Sequence, residues 1–364
     1  MFLTHADIEK LGAMHAVSPS VLSLYLTVPA RPAQLPALLT HAGGLIVAAE
    51  RAAGDHAHVA REDLSAVCHK LATCGAGWRG RTVAVFACVD IGLFQALPLP
   101  CELSGLPECA VLGIRPHIRP LLLALQRCPT YRVAVVAKRD VRLYSVAGEE
   151  VERLSASPQW LLSHAEQEPL VIAGRDDDVR HLLGGLPPGA REFVAASFVA
   201  DPGTLTAARA RDLARPYVAR WAERRLCGLA DQILTEPIGG PVAVGLPDCL
   251  AAVNASAVET LAVPCGGLIP GYECGRCGAL SVDADSCPDW GTAPLPVPDL
   301  IEEMVTRTLE DGGQVCVLSD IPAGMAARLH AGGARELPGR AASPPAVLVG
   351  RHLKTRQRVG CLCG

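Results

Sequence analysis

The chain has 364 residues, of which 50% are apolar and 4% aromatic, and its formal net charge is −4. This length is too great for one ordinary core and suits two or three domains of roughly 100–150 residues each. The negative charge excludes a globally basic nucleic-acid-binding protein, although it permits local basic patches.

The N-terminus predicts neither export nor membrane insertion. It lacks a basic start and an apolar run of signal-peptide length, and it contains Asp7 and Glu9. No apolar stretch approaches the roughly 20 residues that a membrane-spanning helix needs. Fifteen cysteines, an odd number spread along an aliphatic chain, favour reduced thiols over a disulfide framework. We therefore expect a cytoplasmic protein without a membrane partner, in which Cys88 and Cys316 are small core residues.

The first predicted domain covers residues 1–128 and is an α/β domain. Asp90-Ile91-Gly92 separates two β-patterned runs and predicts a hairpin. The expected elements are, in chain order, a strand at Val21–Val28, a helical stretch from about Leu35 to Ala72, strands at Thr82–Val89 and Phe94–Pro100, and a short helix within Arg115–Leu125.

The second predicted domain covers residues 129–240. It opens with an antiparallel meander, after which alternating strands and helices predict a mostly parallel layer covered by helices. The expected elements are strands at Tyr131–Lys138, Val141–Val146 and Val151–Leu154, a strand at Leu170–Ala173, a helix at Asp176–Leu183, a strand at Phe193–Ala200 and a long arginine-rich helix from Thr204 to about Leu234.

The third predicted domain covers residues 241–364 and is again an α/β sandwich, with a cysteine-rich insert. The expected elements are a short strand VAVG, a helix at Pro247–Val253, a strand at Val258–Val263, a helix at Asp299–Asp311, a strand at Val315–Leu318 and a last strand at Ala346–Val349.

The cysteine-rich insert has part of the pattern of a zinc ribbon. Cys274 and Cys277 have zinc-knuckle spacing, and Cys287 begins a Cys-Pro-x-x-Gly frame in which Trp290 stands where a second cysteine is expected. Two interpretations stay open: a structural zinc site, or a degenerate ribbon with well under one zinc per chain. The candidates for a fourth ligand are Cys265, Asp289, His330, Cys361 and Cys363.

The tripeptide Gly312-Gly313-Gln314 is the one with which class I release factors of archaea and eukaryotes hydrolyse peptidyl-tRNA. Here it follows an apolar stripe of helical period, headed by Asp299 and Glu302 at capping-box spacing, and precedes the strand-like QVCVL. Gly312 therefore falls where a helix ends in a left-handed residue. We expect a structural helix end rather than a catalytic loop.

The long helix of the second domain carries a run of arginines interleaved with Tyr217 and Trp221. Guanidinium groups suit phosphate and aromatic rings suit base stacking, so the run is a candidate RNA-binding site. A solvated helix face with both aromatic side chains turned to the core is the more ordinary interpretation. The candidate residues are Arg209, Arg211, Arg215, Arg220, Arg224 and Arg225. The basic end, residues 351–358, is interpreted in the same two ways.

Other patterns indicate no enzyme site. Asp176-Asp177-Asp178 suits magnesium, but its place at a helix start predicts a role in capping and in complementing the helix dipole. The glycine pairs lack the spacing of phosphate-binding loops, so no nucleotide cofactor is expected, and no nucleophile-elbow frame is present.

Several segments together resemble bacterial, actinobacterial-type proteins related to the archaeal and eukaryotic class I peptide-chain release factor. They are SLYLTV, LPLP with RPHIRPLLLAL, YRVAVVAKRDVRLYSV, DPGTLTAARARDLARPYVARW, GLPDCLAAVNASAVETLAVP with its cysteine pair, and LEDGGQVCVL. The resemblance implies an N-terminal α/β domain, an RNase H-like middle domain, a C-terminal α/β sandwich like the kink-turn-binding ribosomal proteins, and action at the ribosome.

The resemblance also identifies a departure from the family. The hydrolysis loop of the family follows the meander of the middle domain, and here Ser155–Pro169 occupies that place without a Gly-Gly-Gln tip. We therefore expect a release-factor-like protein that binds the ribosome or tRNA and lacks peptidyl-tRNA hydrolysis activity. The alternatives are a peptidyl-tRNA hydrolase that rescues stalled ribosomes and a noncatalytic protein-interaction scaffold.

Overall fold

The computed structural model describes residues 3, 5–54, 57–74, 76–99, 108–138, 140–155, 168–235, 242–318 and 348–350. Two compact units make up the chain. We call Ala124–Gly228 the middle unit, and Leu3–Leu123 together with Leu229–Gly364 the terminal unit. Both combine helices with sheets, which confirms the mixed α/β class. The division into three domains at residues 128 and 240 stays a prediction.

The N-terminal part of the terminal unit is an antiparallel sheet of order β3-β2-β1-β4. Its strands are β1 (Val21–Thr27), β2 (Thr82–Cys88), β3 (Leu93–Pro98) and β4 (Cys109–Gly113). β2 and β3 pair across residues 89–91, as the hairpin prediction required. β1 and β2 are buried almost throughout, because helices cover one face of this sheet.

The helices of this part are α1 (His5–Gly12), α2 (Leu35–Ala53), α3 (Arg61–Ala72) and α4 (Arg119–Arg127). The predicted continuous helical stretch from Leu35 to Ala72 is wrong in one respect. Gly54 ends α2 with φ of 88°, a left-handed conformation that a residue with a Cβ rarely adopts. Two shorter helices can therefore both turn apolar residues toward the sheet.

The middle unit contains one five-stranded sheet of order β7-β6-β5-β8-β9. β5 (Tyr131–Ala137), β6 (Asp140–Ala147) and β7 (Glu150–Leu154) form the predicted antiparallel meander. β8 (Leu170–Gly174) and β9 (Val194–Val199) extend it in parallel. α5 (Asp176–Gly185) and α6 (Pro188–Glu192) pack on one face, and α7 (Ala207–Thr235) packs on the other.

The C-terminal part of the terminal unit has two small sheets. The first, of order β10-β16-β11-β15, contains β10 (Ala243–Val244), β11 (Thr260–Pro264), β15 (Gln314–Leu318) and β16 (Leu348–Gly350). The second, of order β13-β12-β14, contains β12 (Gly271–Glu273), β13 (Leu280–Ser281) and β14 (Leu295–Val297) and carries the cysteine-rich insert. The helices are α8 (Leu246–Asn254) and α9 (Leu300–Glu310).

The cysteines follow the sequence prediction with one exception. Cys88 and Cys316 are buried, as expected of small core residues. Cys128 is disulfide-bonded, so the expectation of reduced thiols is wrong at that residue. Among the helices described, none combines the length and the apolar character needed to cross a lipid bilayer.

Candidate functional site

The arginine-rich helix α7 packs on the sheet of the middle unit through small side chains. Ala210, Ala214, Val218 and Ala222 are buried at a spacing of four residues, which places them on one helix face. This apolar stripe fixes the helix against β5 and β9. The arginines are therefore distributed around the remaining surface of the helix, and their individual surroundings differ.

The two aromatic residues of the run are occupied by packing. The ring of Tyr217 stacks on Phe198, with centroids 6.1 Å apart and planes inclined by 19°. Trp221 lies 6.2 Å from Phe193, and its indole Nε1 donates to the Glu192 carbonyl at 3.1 Å. Both side chains therefore pack against phenylalanines of the middle unit, as the ordinary interpretation expected, and RNA binding by the arginines stays a prediction. Since each ring already packs against a phenylalanine, neither ring has both faces available for stacking with bases.

Arg211 and Arg215 hold the hairpin turn between β6 and β7. Arg211 Nη1 donates to the Glu149 carbonyl at 2.7 Å and lies 3.1 Å from Glu149 Oε2. Arg215 Nη2 lies 2.6 Å from the other oxygen, Oε1. Arg211 also pairs with Asp212. These two guanidinium groups already have carboxylate partners, and phosphate would have to compete with them.

Arg209, Arg220 and Arg224 form a row on the outer face of α7, which we call the arginine row. The three residues are exposed and, at 3.6 residues per turn, lie within about 60° of one another around the helix axis. No carboxylate pairs with them among the residues described. Arg220 and Arg224 donate through Nε to the carbonyls of Pro216 and Arg220, each at 3.3 Å.

Arg225 lies beside two aromatic rings, whereas Arg220 of the arginine row lies over one, with its guanidinium 5.0 Å from the ring centroid of Tyr217. The Arg225 guanidinium lies 5.3 Å from the ring centroid of Phe193 and 5.5 Å from that of Trp221, a cation–π arrangement. The run identified from sequence therefore contains a paired group, Arg211 and Arg215, an aromatic-bound residue, Arg225, and the arginine row.

The three cysteines of the insert converge, as the ribbon pattern predicted. The sulfurs of Cys274, Cys277 and Cys287 lie within 4.8 Å of one another, and the Cys277 and Cys287 sulfurs are 3.5 Å apart. Cys274 and Cys287 are buried, while Cys277 is exposed. A thiolate set of this kind can hold a thiophilic cation such as zinc.

The knuckle is arranged to stabilise thiolate at Cys274. The hydroxyl of Thr292 lies 3.2 Å from the Cys274 sulfur. Hydrogen bonds from this hydroxyl, and then from the amides of Cys277 and Arg276, lower the pKa of Cys274 to about 6. The Arg276 guanidinium lies 3.7 Å from the ring centroid of Trp290, so this tryptophan packs beneath an arginine in place of the missing cysteine.

The candidates for a fourth ligand are reduced by the structure. Cys265 and Asp289 are described, and neither joins the cluster formed by the three cysteines. His330, Cys361 and Cys363 lie outside the described residues, as does the basic end at residues 351–358.

Gly312-Gly313-Gln314 is a helix end followed by a strand, as predicted. Gly312 has φ of 77°, and its amide donates to the Leu309 carbonyl at 3.0 Å. A Cβ on Gly313 would lie 2.9 Å from the Val258 carbonyl oxygen, so the backbone there approaches too closely for another residue. Gln314 begins β15, where its amide donates to Glu259. Both glycines thus have structural explanations.

The aspartate run opens α5, also as predicted. Asp176 pairs with Arg180 one turn later, and Asp177 is 98% exposed. The run does not form one of the potential metal-binding groups found among the described residues. The residue before it, Arg175, makes no side-chain capping bond, so the acidic residues act through the helix dipole.

A buried ionic network in the terminal unit escaped the sequence analysis. Arg119 is fully buried, and its guanidinium donates to Asp299 Oδ2, to Glu302 Oε2 at 3.2 Å and to the Pro264 and Gly267 carbonyls at 2.9 Å each. His117 Nδ1 lies 2.8 Å from Glu302 Oε2. These contacts join the start of α4 to the start of α9.

The network corrects the capping-box prediction. Asp299 caps α9 by accepting from the Ile301 amide at 3.2 Å, but the Glu302 carboxylate accepts from the Ile118 amide and from Arg119. Burial acts to raise the pKa of Glu302, yet His117 and Arg119 lower it overall. At Asp299 burial prevails and raises the pKa. The signal that was available was a basic pair, His117 and Arg119, inside an apolar segment.

No protein-family model matches the chain, and no curated protein matches it. Among solved structures, an archaeal translation termination factor, aRF1, aligns with 14% identity and a TM-score of 0.24 over 87% of this chain and 92% of that chain. Pelota from Archaeoglobus fulgidus aligns with 16% identity and a TM-score of 0.33, over 75% and 79% respectively. Dom34 from S. cerevisiae, a translation termination-like factor, aligns with 9% identity and a TM-score of 0.39, over 74% and 78%.

The chain is therefore similar to archaeal and eukaryotic release-factor-like proteins over most of its length.

Proposed function

We propose that this chain is a release-factor-like protein of the bacterial group named above, which binds the ribosome or tRNA in the cytoplasm without hydrolysing peptidyl-tRNA. The arginine row is the observation that carries the proposal. It is a line of exposed guanidinium groups that have no carboxylate partner within the described part of the chain, whose net charge is negative. The sequence segments that resemble the release-factor family favour the ribosome or tRNA among RNA partners.

The arginine row has the dimensions of a phosphate-binding surface. From Arg209 to Arg224 the helix rises by roughly 22 Å, which spans several successive phosphates of an RNA strand. Because Arg211 and Arg215 are paired with Glu149, we assign them the role of fixing α7 against the hairpin turn rather than that of binding phosphate. Binding is thus proposed to be electrostatic and shape-dependent, with Tyr217 and Trp221 supporting the helix rather than stacking on bases.

The finer fold assignment is part of the same proposal. The order β7-β6-β5-β8-β9, a three-strand meander extended by two parallel strands, supports an RNase H-like middle unit. We propose a fold like that of kink-turn-binding ribosomal proteins for the C-terminal segment, on the basis of the sequence resemblance.

The proposed lack of hydrolysis follows from the position of the only Gly-Gly-Gln tripeptide in the sequence. Gly312 and Gly313 are fixed between α9 and β15, and the Gln314 amide is bonded within the sheet. A tripeptide in this position cannot project from a loop toward a bound ester. Of Ser155–Pro169, the segment that takes the place of the family's loop, residues 156–167 lie outside the described residues.

The test is co-sedimentation of the full chain with purified ribosomes, and filter binding to tRNA, at several salt concentrations. Replacing Arg209, Arg220 and Arg224 with alanine removes three phosphate contacts. We expect the slope of log affinity against log salt to become shallower by roughly two to three, because each contact releases close to one counterion.

A charge-matched control removes the same number of arginines from the same unit. Arg153, Arg175 and Arg180 are exposed and lie outside the arginine row. Replacing these three with alanine should leave the salt slope nearly unchanged. Equal losses in both variants would show that net charge, not the arginine row, governs binding. No binding by the wild-type chain at low salt would refute the proposed function and favour the scaffold alternative.

A further inference from the structure

The cysteine cluster contains a fourth polar group that the zinc-ribbon pattern does not include. Thr292 lies five residues after Cys287, directly after the Cys-Pro-x-x-Gly frame, and its hydroxyl oxygen lies 3.2 Å from the Cys274 sulfur. Its carbonyl also accepts a hydrogen bond from the Cys287 amide at 3.0 Å. This backbone bond holds Thr292 beside the second half of the ribbon, so its hydroxyl is positioned by the same turn that positions Cys287.

Two of the observed distances are close to the edges of a coordination tetrahedron. Zinc–sulfur bonds of about 2.3 Å and zinc–oxygen bonds of about 2.0–2.2 Å give edges of about 3.8 Å between sulfurs and about 3.6 Å between sulfur and oxygen. The observed Cys277–Cys287 and Cys274–Thr292 separations are 3.5 and 3.2 Å. At these two edges the atoms would need to move apart by only a few tenths of an ångström, and all three sulfurs lie within 4.8 Å of one another.

We propose that Cys274, Cys277, Cys287 and Thr292 form a four-ligand zinc site with three thiolates and one hydroxyl oxygen. On binding, the thiols that are still protonated release their protons to solvent, and the site acquires a net charge of −1. Arg276 belongs to the knuckle sequence, and its guanidinium, which packs on Trp290, supplies a positive charge within the insert. This proposal replaces the interpretation of a degenerate ribbon without stoichiometric zinc, which was based on the missing fourth cysteine.

The geometry also predicts a graded series of affinities. A neutral hydroxyl is a weaker zinc ligand than a thiolate, so the site should bind zinc less tightly than a four-cysteine ribbon. Replacing Thr292 with valine keeps the shape of the side chain and removes the oxygen. Replacing Thr292 with cysteine converts the site to four thiolates, and replacing it with serine retains the hydroxyl.

The experiment measures zinc stoichiometry by elemental analysis, and zinc affinity by competition with a chelator, on the reduced full-length protein. We expect close to one zinc per wild-type chain and a loss of binding in Cys277→Ser. Thr292→Val should weaken affinity by roughly tenfold to a hundredfold, the range known for changes in metal-site partners. Thr292→Ser should restore it, and Thr292→Cys should raise it above that of the wild type.

Cobalt substitution provides a readout of ligand identity. The visible spectrum of bound Co²⁺ shifts as thiolates replace oxygen ligands, so Thr292→Cys should shift the wild-type bands. Thr27→Cys, which adds a thiol at the exposed end of β1, should shift nothing. Circular dichroism checks that each variant is folded. Well under one zinc per wild-type chain, or an unchanged affinity in folded Thr292→Val, would overturn the proposed site.

Discussion

Replacing Arg119 with methionine removes a guanidinium group that donates hydrogen bonds to residues of the terminal unit. Methionine has a similar length and no charge. The change leaves the carboxylates of Asp299 and Glu302 buried, with His117 as the remaining nearby base, and it deprives the Pro264 and Gly267 carbonyls of their donors. Breaking a buried ion pair by removing one partner typically costs about 3–5 kcal/mol.

We therefore expect Arg119→Met to destabilise the terminal unit by about 4 kcal/mol. Hydrogen exchange read by mass spectrometry suits a chain of two units, because it reports the opening of each segment separately. A loss of 4 kcal/mol corresponds to exchange roughly a thousandfold faster in peptides that contain Ile118 and Ile301. Both amides donate to carboxylates of the network.

Two comparison variants make the result interpretable. Arg51→Met, the same substitution on an exposed face of α2, should change stability by less than about 0.5 kcal/mol. Combining Arg119→Met with Asp299→Asn and Glu302→Gln removes the uncompensated charges and should recover much of the loss, because buried charges without partners are the main cost. If Arg119→Met exchanges less than about threefold faster, the reasoning about uncompensated buried charge is refuted.

Burial raises the pKa of Glu303 to about 8, so the folded state keeps a proton that the unfolded chain releases at lower pH. The resulting stability should be present at pH 5 and decline toward pH 9. The thermal midpoint of Glu303→Gln, measured over the same pH range, should not show that decline. Gly312→Val should lower the free energy of unfolding by about 1 kcal/mol or more, as its φ of 77° strains a β-branched residue. Stalled ribosome–nascent-chain complexes should release no peptide with the wild type; rapid release abolished by Gln314→Ala in a folded protein would contradict this. Arg211→Ala should destabilise the middle unit by about 1 kcal/mol in urea denaturation, whereas Arg209→Ala should be neutral, because only Arg211 is bonded to the hairpin turn.

Local patterns predicted much of the fold because the relevant signals lie within a few residues of one another. The hairpin of β2 and β3 depends on Asp90-Ile91-Gly92, and Gly92 does adopt a left-handed conformation, with φ of 64°. The start of β15 at Gln314 follows from the glycine end of α9. Gly54 was missed because a single glycine in a helical pattern is tolerated in many helices.

The role of Glu302 was not predictable in this way. At the start of α9, Asp299 and Glu302 have the spacing of a capping box. In a capping box both side chains accept hydrogen bonds from backbone amides of the same helix start, so the sequence gives no reason to look for distant partners. In the structure Glu302 instead binds Arg119, which is 183 residues away in the chain. The sequence marks α9 as amphipathic, but the helix is buried on nearly every side, so polar residues beside the apolar stripe are buried as well.

The arginines of α7 show the same limit at the candidate site. By residue type and spacing the six are equivalent, and the sequence assigns all of them to one basic surface. Glu149, which distinguishes them, lies in the turn between β6 and β7 and is 62 residues from Arg211 along the chain. The register of the meander places that turn beside one side of the helix, so Arg211 and Arg215 acquire a carboxylate, while the arginine row, on another side, pairs with none of the carboxylates that the structure describes. The free charge available for phosphate is therefore set by a hairpin contact rather than by the number of arginines in the run.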